Sequence, residues 1–409
     1  MRIVFFAQGM PDPCGAFFHD VILARALQAK GHSVTFVTTS AKFPKRGVYR
    51  GLPFVHYEVS GRELETADLW STPHNPMLAF VRKLNNTYEK PLVVNMHYGE
   101  DRQHIEKCVR HGNWAEFLWF VSDHIRQKVL DTITPAPSFK DMYTFRPTFI
   151  ESDVRLYTAP QRPEGDCITL INANLLKGVG IFLDMAKRFP TKKFLGVKPY
   201  YNVIDVPNYP NVEWMTLQDD IRVVLAKTRI LMVPSLYESW GRVAFEAMFN
   251  GIPVLYTKPV ADATNYATGS TEGMRDWIGD NGIQCRRDSP DDWVAAINLL
   301  DSPSEYNKYS EKAYRCTEDL NLFSEIPIIE QKFLSYATQH PAPIKSKSAK
   351  MDSASFGVGQ GPNRFMSGGM RRQMPVAQAA AQAADPAAAP GVQRPAGLSF
   401  RGGRFGVRK

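Results

Sequence analysis

Short apolar runs alternate with helix-length amphipathic stretches along most of this chain, and that alternation restricts the fold more than any other feature. Residues 3–7 are continuously apolar, as suits a parallel strand buried on both faces. Residues 8–15 are too rich in Gly and Pro for regular structure. Residues 16–30 then read as a helix, with Phe17, Val21 and Ala24 at i, i+4 and i+7 and Gly31 as the stop. The β-branched run 34–38 returns the chain to a strand, which makes a βαβ unit. Runs at 92–95 and 117–121 continue the series. Pro147, Pro160 and Pro163 break it between residues 146 and 166, the mark of a linker. A second series follows: strand 167–171, helix 178–189, strands 193–197 and 230–233, helix 241–250 and strand 253–256. The expectation is an α/β protein with two doubly wound, Rossmann-like parallel sheets in tandem. Its ligand cleft lies outside the carboxyl ends of the strands.

Composition narrows the classes. Of 409 residues, 44% are hydrophobic and 22% charged, the balance of a folded chain with real cores. No run approaches the roughly 18–20 apolar residues a membrane helix needs, and the opening residues are too short for a signal-peptide core. The cysteines number five, and none sits in a C-x-x-C pair, which argues against a disulfide framework or a zinc ribbon. A soluble protein of the reducing cytoplasm is expected. The net charge of +8 is unevenly placed: from Pro341 onward eleven cations face only Asp352 and Asp385, so this segment carries +9 and the rest of the chain −1. Residues 341–409 are rich in Ala, Gly and Arg and poor in large apolar side chains, so a disordered basic tail is expected there.

The chemistry concentrates in residues 233–254. A strand ends, a loop carries Glu238, and a helix opens near Gly241, where unpaired N–H groups suit a diphosphate. Gly241 lets backbone approach a ligand closely, Glu246 lies one turn beyond Arg242 on the same face, and Gly251 and Pro253 stop the helix. Glu238 and Glu246 with seven residues between them, followed by Ala-Met and then Gly-Ile-Pro-Val, resemble the donor-site signature of retaining glycosyltransferases of family 4, which have the GT-B fold. The resemblance takes in 211–215 and 273–279 and runs over most of residues 1–335 in element order, leaving out the tail.

That resemblance implies a division into an acceptor-side domain at 1–155, a nucleotide-sugar donor domain at 156–320, and a helical segment at 321–340 returning toward the first domain. It implies Glu238 facing the donor sugar, Glu246 on the nucleotide ribose, and the backbone of Ser239, Trp240 and Gly241 on phosphate. The bland alternative for Glu246 is a plain ion pair with Arg242 on a solvated helix face. Lys177, in the Lys-Gly pair after strand 167–171, matches the family's phosphate cation. Asn172 stands where the family usually has an Arg, and Arg242 or Lys198 is left to supply that charge. His97, just past a strand, matches the histidine that contacts the donor sugar. Gly9 and Gly15 bracket a loop of the same cleft without forming G-x-G-x-x-G. His19, His32 and His74 read as structural.

The expected activity is transfer of a hexosyl or pentosyl group from a nucleotide-sugar to an acceptor hydroxyl with retention, with no cofactor and no metal. Alternatives are a GT-B-type sugar-nucleotide epimerase and a nucleic-acid-binding protein with an inactive glycosyltransferase-like body. Intact Glu238, Glu246 and Lys177 oppose the inactive body, and Asn172 favours it. The acceptor is not selected by the resemblance. Arg, Gly and Phe interleave at 399–409, a composition suited to nucleic acid and also to anionic membrane surfaces.

Overall fold

The computed structural model describes residues 1–12, 14–73, 77–97, 116–132, 141–156, 164–200, 207–259 and 271–339. The expected tail at 341–409 and His74 lie outside the described residues.

Two sheets carry the fold. The first holds β1 (Arg2–Ala7), β2 (Ser33–Thr38), β3 (Arg46–Tyr49), β4 (Leu52–His56), β5 (Leu69–Pro73), β6 (Leu92–Met96), β7 (Glu116–Phe120) and β8 (Asp141–Thr144), in the spatial order β3-β4-β2-β1-β5-β6-β7-β8. Only the β3–β4 hairpin is antiparallel. The chain leaves β1 for β2 on one side and returns as β5 on the other, so a topological switch lies between β1 and β5.

The second sheet is parallel throughout. It holds β9 (Cys167–Ile171), β10 (Lys193–Val197), β11 (Val212–Met215), β12 (Thr228–Val233), β13 (Val254–Thr257) and β14 (Ile283–Cys285), in the order β11-β10-β9-β12-β13-β14. Its switch falls between β9 and β12. Both β9 and β13 are buried along their whole length, as a sheet covered by helices on both faces requires.

The segment 145–156 crosses from the first sheet to the second. It is tied down by Asn250, whose amide donates to the Val154 carbonyl at 2.9 Å and whose Oδ1 accepts from the Leu156 N–H at 2.7 Å. After the helix Pro303–Leu320 the chain crosses back. The helix Glu325–Gln339 buries Ile329, Phe333 and Tyr336, at i, i+4 and i+7, in the core of the first lobe. There Tyr336 stacks on Phe117 with ring centroids 3.5 Å apart, Lys332 reaches Asp141 at 3.0 Å, and Glu330 holds both Lys30 and His32 at 2.8 Å. Phe245 and Phe249 of the second lobe join the same core, with Phe245 stacked on Phe149 at 4.4 Å. The two lobes therefore share an apolar hinge. Among the described residues no helix is long and apolar enough to cross a membrane.

Candidate active site

The loops that leave β9 and β12 flank the switch point of the second sheet, and both are built to be held together. After β9, Asn172 takes a left-handed backbone (φ 63°) and its side-chain oxygen accepts from Asn174 at 3.1 Å. Asn174 in turn accepts from the Lys177 N–H at 3.0 Å. Gly178 follows at φ 78°, so close to the next loop that a Cβ there would lie 2.2 Å from the Pro234 carbonyl oxygen. The Leu236 N–H donates to the Leu176 carbonyl at 2.7 Å. From beyond β14, Arg287 donates to the carbonyls of Pro234 at 3.3 Å and Leu175 at 3.4 Å, one on each loop.

This frame brings Lys177 to Glu238. The ammonium lies 2.5 Å from Oε1, and the Ser235 hydroxyl donates to the same oxygen at 2.7 Å. Glu238 is buried and Lys177 is partly exposed. Removing either partner of such a covered pair leaves the other uncompensated, at a cost of roughly 3–5 kcal/mol when burial is complete and less here, where Lys177 reaches solvent.

Gly241 begins the next feature at φ 83°, with a notional Cβ 2.7 Å from the Met274 sulfur. Gly273, on the helix Glu272–Ile278, lies against the Ser239 carbonyl: a Cβ there would stand 1.8 Å from that oxygen and 3.2 Å from Ser122 Oγ of the first lobe. The Trp277 indole donates to the Trp240 carbonyl at 2.7 Å and stacks on Trp240 at 4.8 Å. The carbonyls of Ser239 and Trp240 are thus covered by the protein itself.

On the helix Arg242–Met248, Arg242 meets Glu246 Oε1 at 3.3 Å, and both side chains are largely buried. The pair is not on a solvated face, which corrects that alternative: Arg242 also donates to the Thr148 carbonyl at 3.1 Å and lies over the Phe149 ring at 4.2 Å, both on the crossing segment. Burial raises the pKa of Glu246, and the Arg242 charge works against that rise.

On the first lobe, His97 follows β6. The residue is partly covered, and its Nε2 is fully covered with no hydrogen-bond partner among the described residues. Burial, aided by the Arg242 charge, lowers its pKa to about 3, so its imidazole is neutral near pH 7. His19 stands 5.3 Å from His97 ring to ring and accepts from the Thr148 N–H at 3.0 Å, a structural task. His32 is likewise structural, bound to Glu330.

The structure therefore brings Lys177 to Glu238, Arg242 to Glu246, and His97 within reach of the Arg242 charge. Asn172 uses its side-chain oxygen within its own loop, on Asn174. Lys198 is exposed past β10. Gly9 is buried under Phe43, whose ring would lie 2.6 Å from a Cβ there, whereas Gly15 has only Arg242 Cδ at 3.9 Å. Sequence reasoning missed Ser235, Asn174, Arg287 and Thr148. Their roles depend on loops meeting in space, although Ser235 lay inside residues 233–254 and Asn174 between Asn172 and Lys177.

Residues 208–315 match the family described as glycosyl transferases group 1, a span that holds both Glu238 and Glu246. No curated protein matches the chain. Among solved structures, sucrose-phosphate synthase from Thermosynechococcus elongatus is similar with a TM-score of 0.64 at 14% identity, covering 82% of this chain and 99% of that one. Anabaena HepE, solved with UDP and glucose, gives 0.63 at 15% identity with coverage of 82% and 99%. The catalytic domain of starch synthase IV from Arabidopsis thaliana, bound to ADP and acarbose, gives 0.60 at 12% with coverage of 82% and 99%. Two lobes in this arrangement are the GT-B fold, and the second of them holds the residues 208–315 that match the glycosyl transferases group 1 family.

Proposed function

We propose that the protein is a retaining glycosyltransferase that moves a hexosyl or pentosyl group from a nucleotide-sugar to an acceptor hydroxyl without a bound metal. The Lys177–Glu238 pair carries this assignment. A cation and a carboxylate meet at the switch point of the sheet that holds the group 1 domain, where open α/β sheets bind ligands. An ammonium has three N–H donors; one serves Glu238, and the others suit the diphosphate. Glu238 faces the sugar, Glu246 takes the ribose hydroxyls, and neutral His97 donates a hydrogen bond to the sugar from the opposite lobe. The backbone N–H groups of Ser239, Trp240 and Gly241 hold phosphate oxygens.

In the transfer step the bond between the anomeric carbon and the diphosphate oxygen breaks. The acceptor oxygen forms its bond on the face that the diphosphate leaves, and the acceptor proton passes to a phosphate oxygen. Lys177 stabilises the charge that grows on the leaving group. The acceptor class we assign is nucleic acid, on the +9 charge and the Arg, Gly and Phe content of residues 341–409.

Calorimetry with UDP and ADP, and turnover of their sugar conjugates with and without acceptor, test this. Glu246→Ala should lose about 1–3 kcal/mol of nucleotide binding, because hydrogen bonds to an ionised group disappear. Glu238→Ala should lower kcat more than nucleotide affinity. Unchanged binding and unchanged rates in both variants would remove the assignment, turnover without acceptor would favour an epimerase, and an inverted anomeric carbon in the product would remove retention.

A further inference from the structure

Arg242 is the first residue of a short helix, the end at which backbone N–H groups already concentrate positive charge, and it is largely buried there. A cation in that place is disfavoured twice, by desolvation and by the local dipoles, so its partners have to hold it. They come from two directions. Glu246 Oε1 stands 3.3 Å away on the same helix, while the Thr148 carbonyl at 3.1 Å and the Phe149 ring at 4.2 Å belong to the segment that crosses between the lobes. Thr148 is itself fixed, through its N–H on His19.

Glu246 needs such a neighbour. Its side chain is as buried as that of Arg242, and among the described residues Arg242 is the one that bonds its carboxylate. An ionised carboxylate accepts from two hydroxyls at once, whereas a protonated one gives up part of that capacity. We propose that Arg242 is a positioning residue of the donor site: its guanidinium keeps the Glu246 carboxylate charged and aimed at the two hydroxyls of a nucleotide ribose, and anchors it to the crossing segment at Thr148 and Phe149. This rests on the assignment of Glu246 as the ribose ligand.

The surroundings make the effect readable by pH. Burial raises the pKa of Glu246, and Arg242 is the charge opposing that rise. His19 and His97, which face Arg242 from the first lobe, are both held toward the neutral form, His97 at about 3. Arg155, over the Phe249 ring, has its pKa raised, and so do Tyr256 on β13 and Tyr314 and Cys316 on the helix Pro303–Leu320. None of these groups changes charge between about pH 6.5 and 9. Asp20, next to His19 on the helix Gly15–Ala29, has its pKa raised by burial to about 8, but it is bonded to Asn95. The wild type and Glu246→Gln carry it alike, so its share of any pH response is read from those two.

Calorimetry with UDP and ADP over that range, on the wild type, Arg242→Met, Arg242→Lys and Glu246→Gln, reads the proposal. The wild type should vary little above pH 7. Arg242→Met should bind about 10- to 100-fold more weakly at pH 7, then regain up to about tenfold per pH unit as Glu246 ionises. Arg242→Lys should stay within about fivefold of the wild type, and Glu246→Gln should be weak at every pH with no regain. Wild-type affinity in Arg242→Met at pH 7, or weak binding without regain in a folded Arg242→Met, overturns the role of Arg242 and leaves Glu246 standing. Wild-type affinity in Glu246→Gln overturns the donor-site assignment itself. If Arg242→Met does not fold, Arg242→Lys decides: a loss as large as that of Glu246→Gln overturns the proposal.

Discussion

Adding one methyl group at Gly273 should damage catalysis and stability together. The Cβ of Gly273→Ala would stand 1.8 Å from the Ser239 carbonyl oxygen, where real Cβ atoms keep at least 3.0 Å, so about 1.2 Å of movement is required. The obstacle is backbone, which cannot swing aside as the end of a flexible side chain does. Retreat in the other direction is limited by Ser122 Oγ at 3.2 Å. Either the loop 238–241 shifts, taking Glu238 with it, or the helix Glu272–Ile278 is driven toward the first lobe. Overpacking of this kind costs about 1–3 kcal/mol, which for domains of this size lowers the melting temperature by roughly 2–12 °C. A displacement near 1 Å at reacting groups costs on the order of 100-fold in rate. Scanning calorimetry and donor turnover measure both. Gly180→Ala is the control, because nothing lies within 4 Å of a Cβ there and the site is inside a helix, so it should gain about 0.4–1 kcal/mol with turnover unchanged. A Gly273→Ala protein that melts and turns over like the wild type would show that the close contact at Ser239 does not set the loop.

Three further outcomes follow from the site. Turnover should survive a chelator, since Lys177 is assigned the leaving-group charge; loss of activity restored by magnesium or manganese would contradict this. Placing a cation at this position with Asn172→Arg should fail to tighten UDP binding and should cost about 1 kcal/mol of stability. The left-handed backbone at φ 63° suits Asn and strains Arg, so a more stable, tighter-binding variant would refute this account of the loop. Truncation after His340 should leave folding and donor binding unchanged while weakening binding to DNA or RNA, most of all at low salt; equal nucleic-acid affinity in the truncated protein would remove the acceptor assignment.

Elements whose burial shows as an apolar run could be read from the sequence. The strands at 167–171 and 193–197 lie where the runs predict them, and β1, β2, β6 and β12 differ from expectation only at their ends. What escaped was buried without being apolar, or short. β5 is buried along its whole length, yet it reads Leu-Trp-Ser-Thr-Pro. Ser71 is tolerated there because Asn95 of β6 donates to its hydroxyl at 3.1 Å, a partnership invisible until β5 and β6 pair. β3 lies at the sheet edge with half its residues exposed, so no core pattern marks it, and β14 has only three residues.

For the site, the limit of the sequence lies at the contacts between loops. Glu238, Glu246 and Lys177 stand out because a strand precedes each loop and a helix follows it, and local order of that kind survives in one dimension. The shape of the loops does not. Asn172 looks from the sequence like a lost cation; in space it is the residue that lets the backbone turn left-handed after β9 and that binds Asn174, which then holds the Lys177 N–H. Arg287, 110 residues downstream of Lys177, joins the two loops through carbonyl oxygens that no side-chain pattern reveals. Its burial lowers its pKa, and two of its five N–H donors go to the backbone of the two loops. A positive charge thus stands beside the Asn172 loop on Arg287, in addition to that of Lys177 on Glu238.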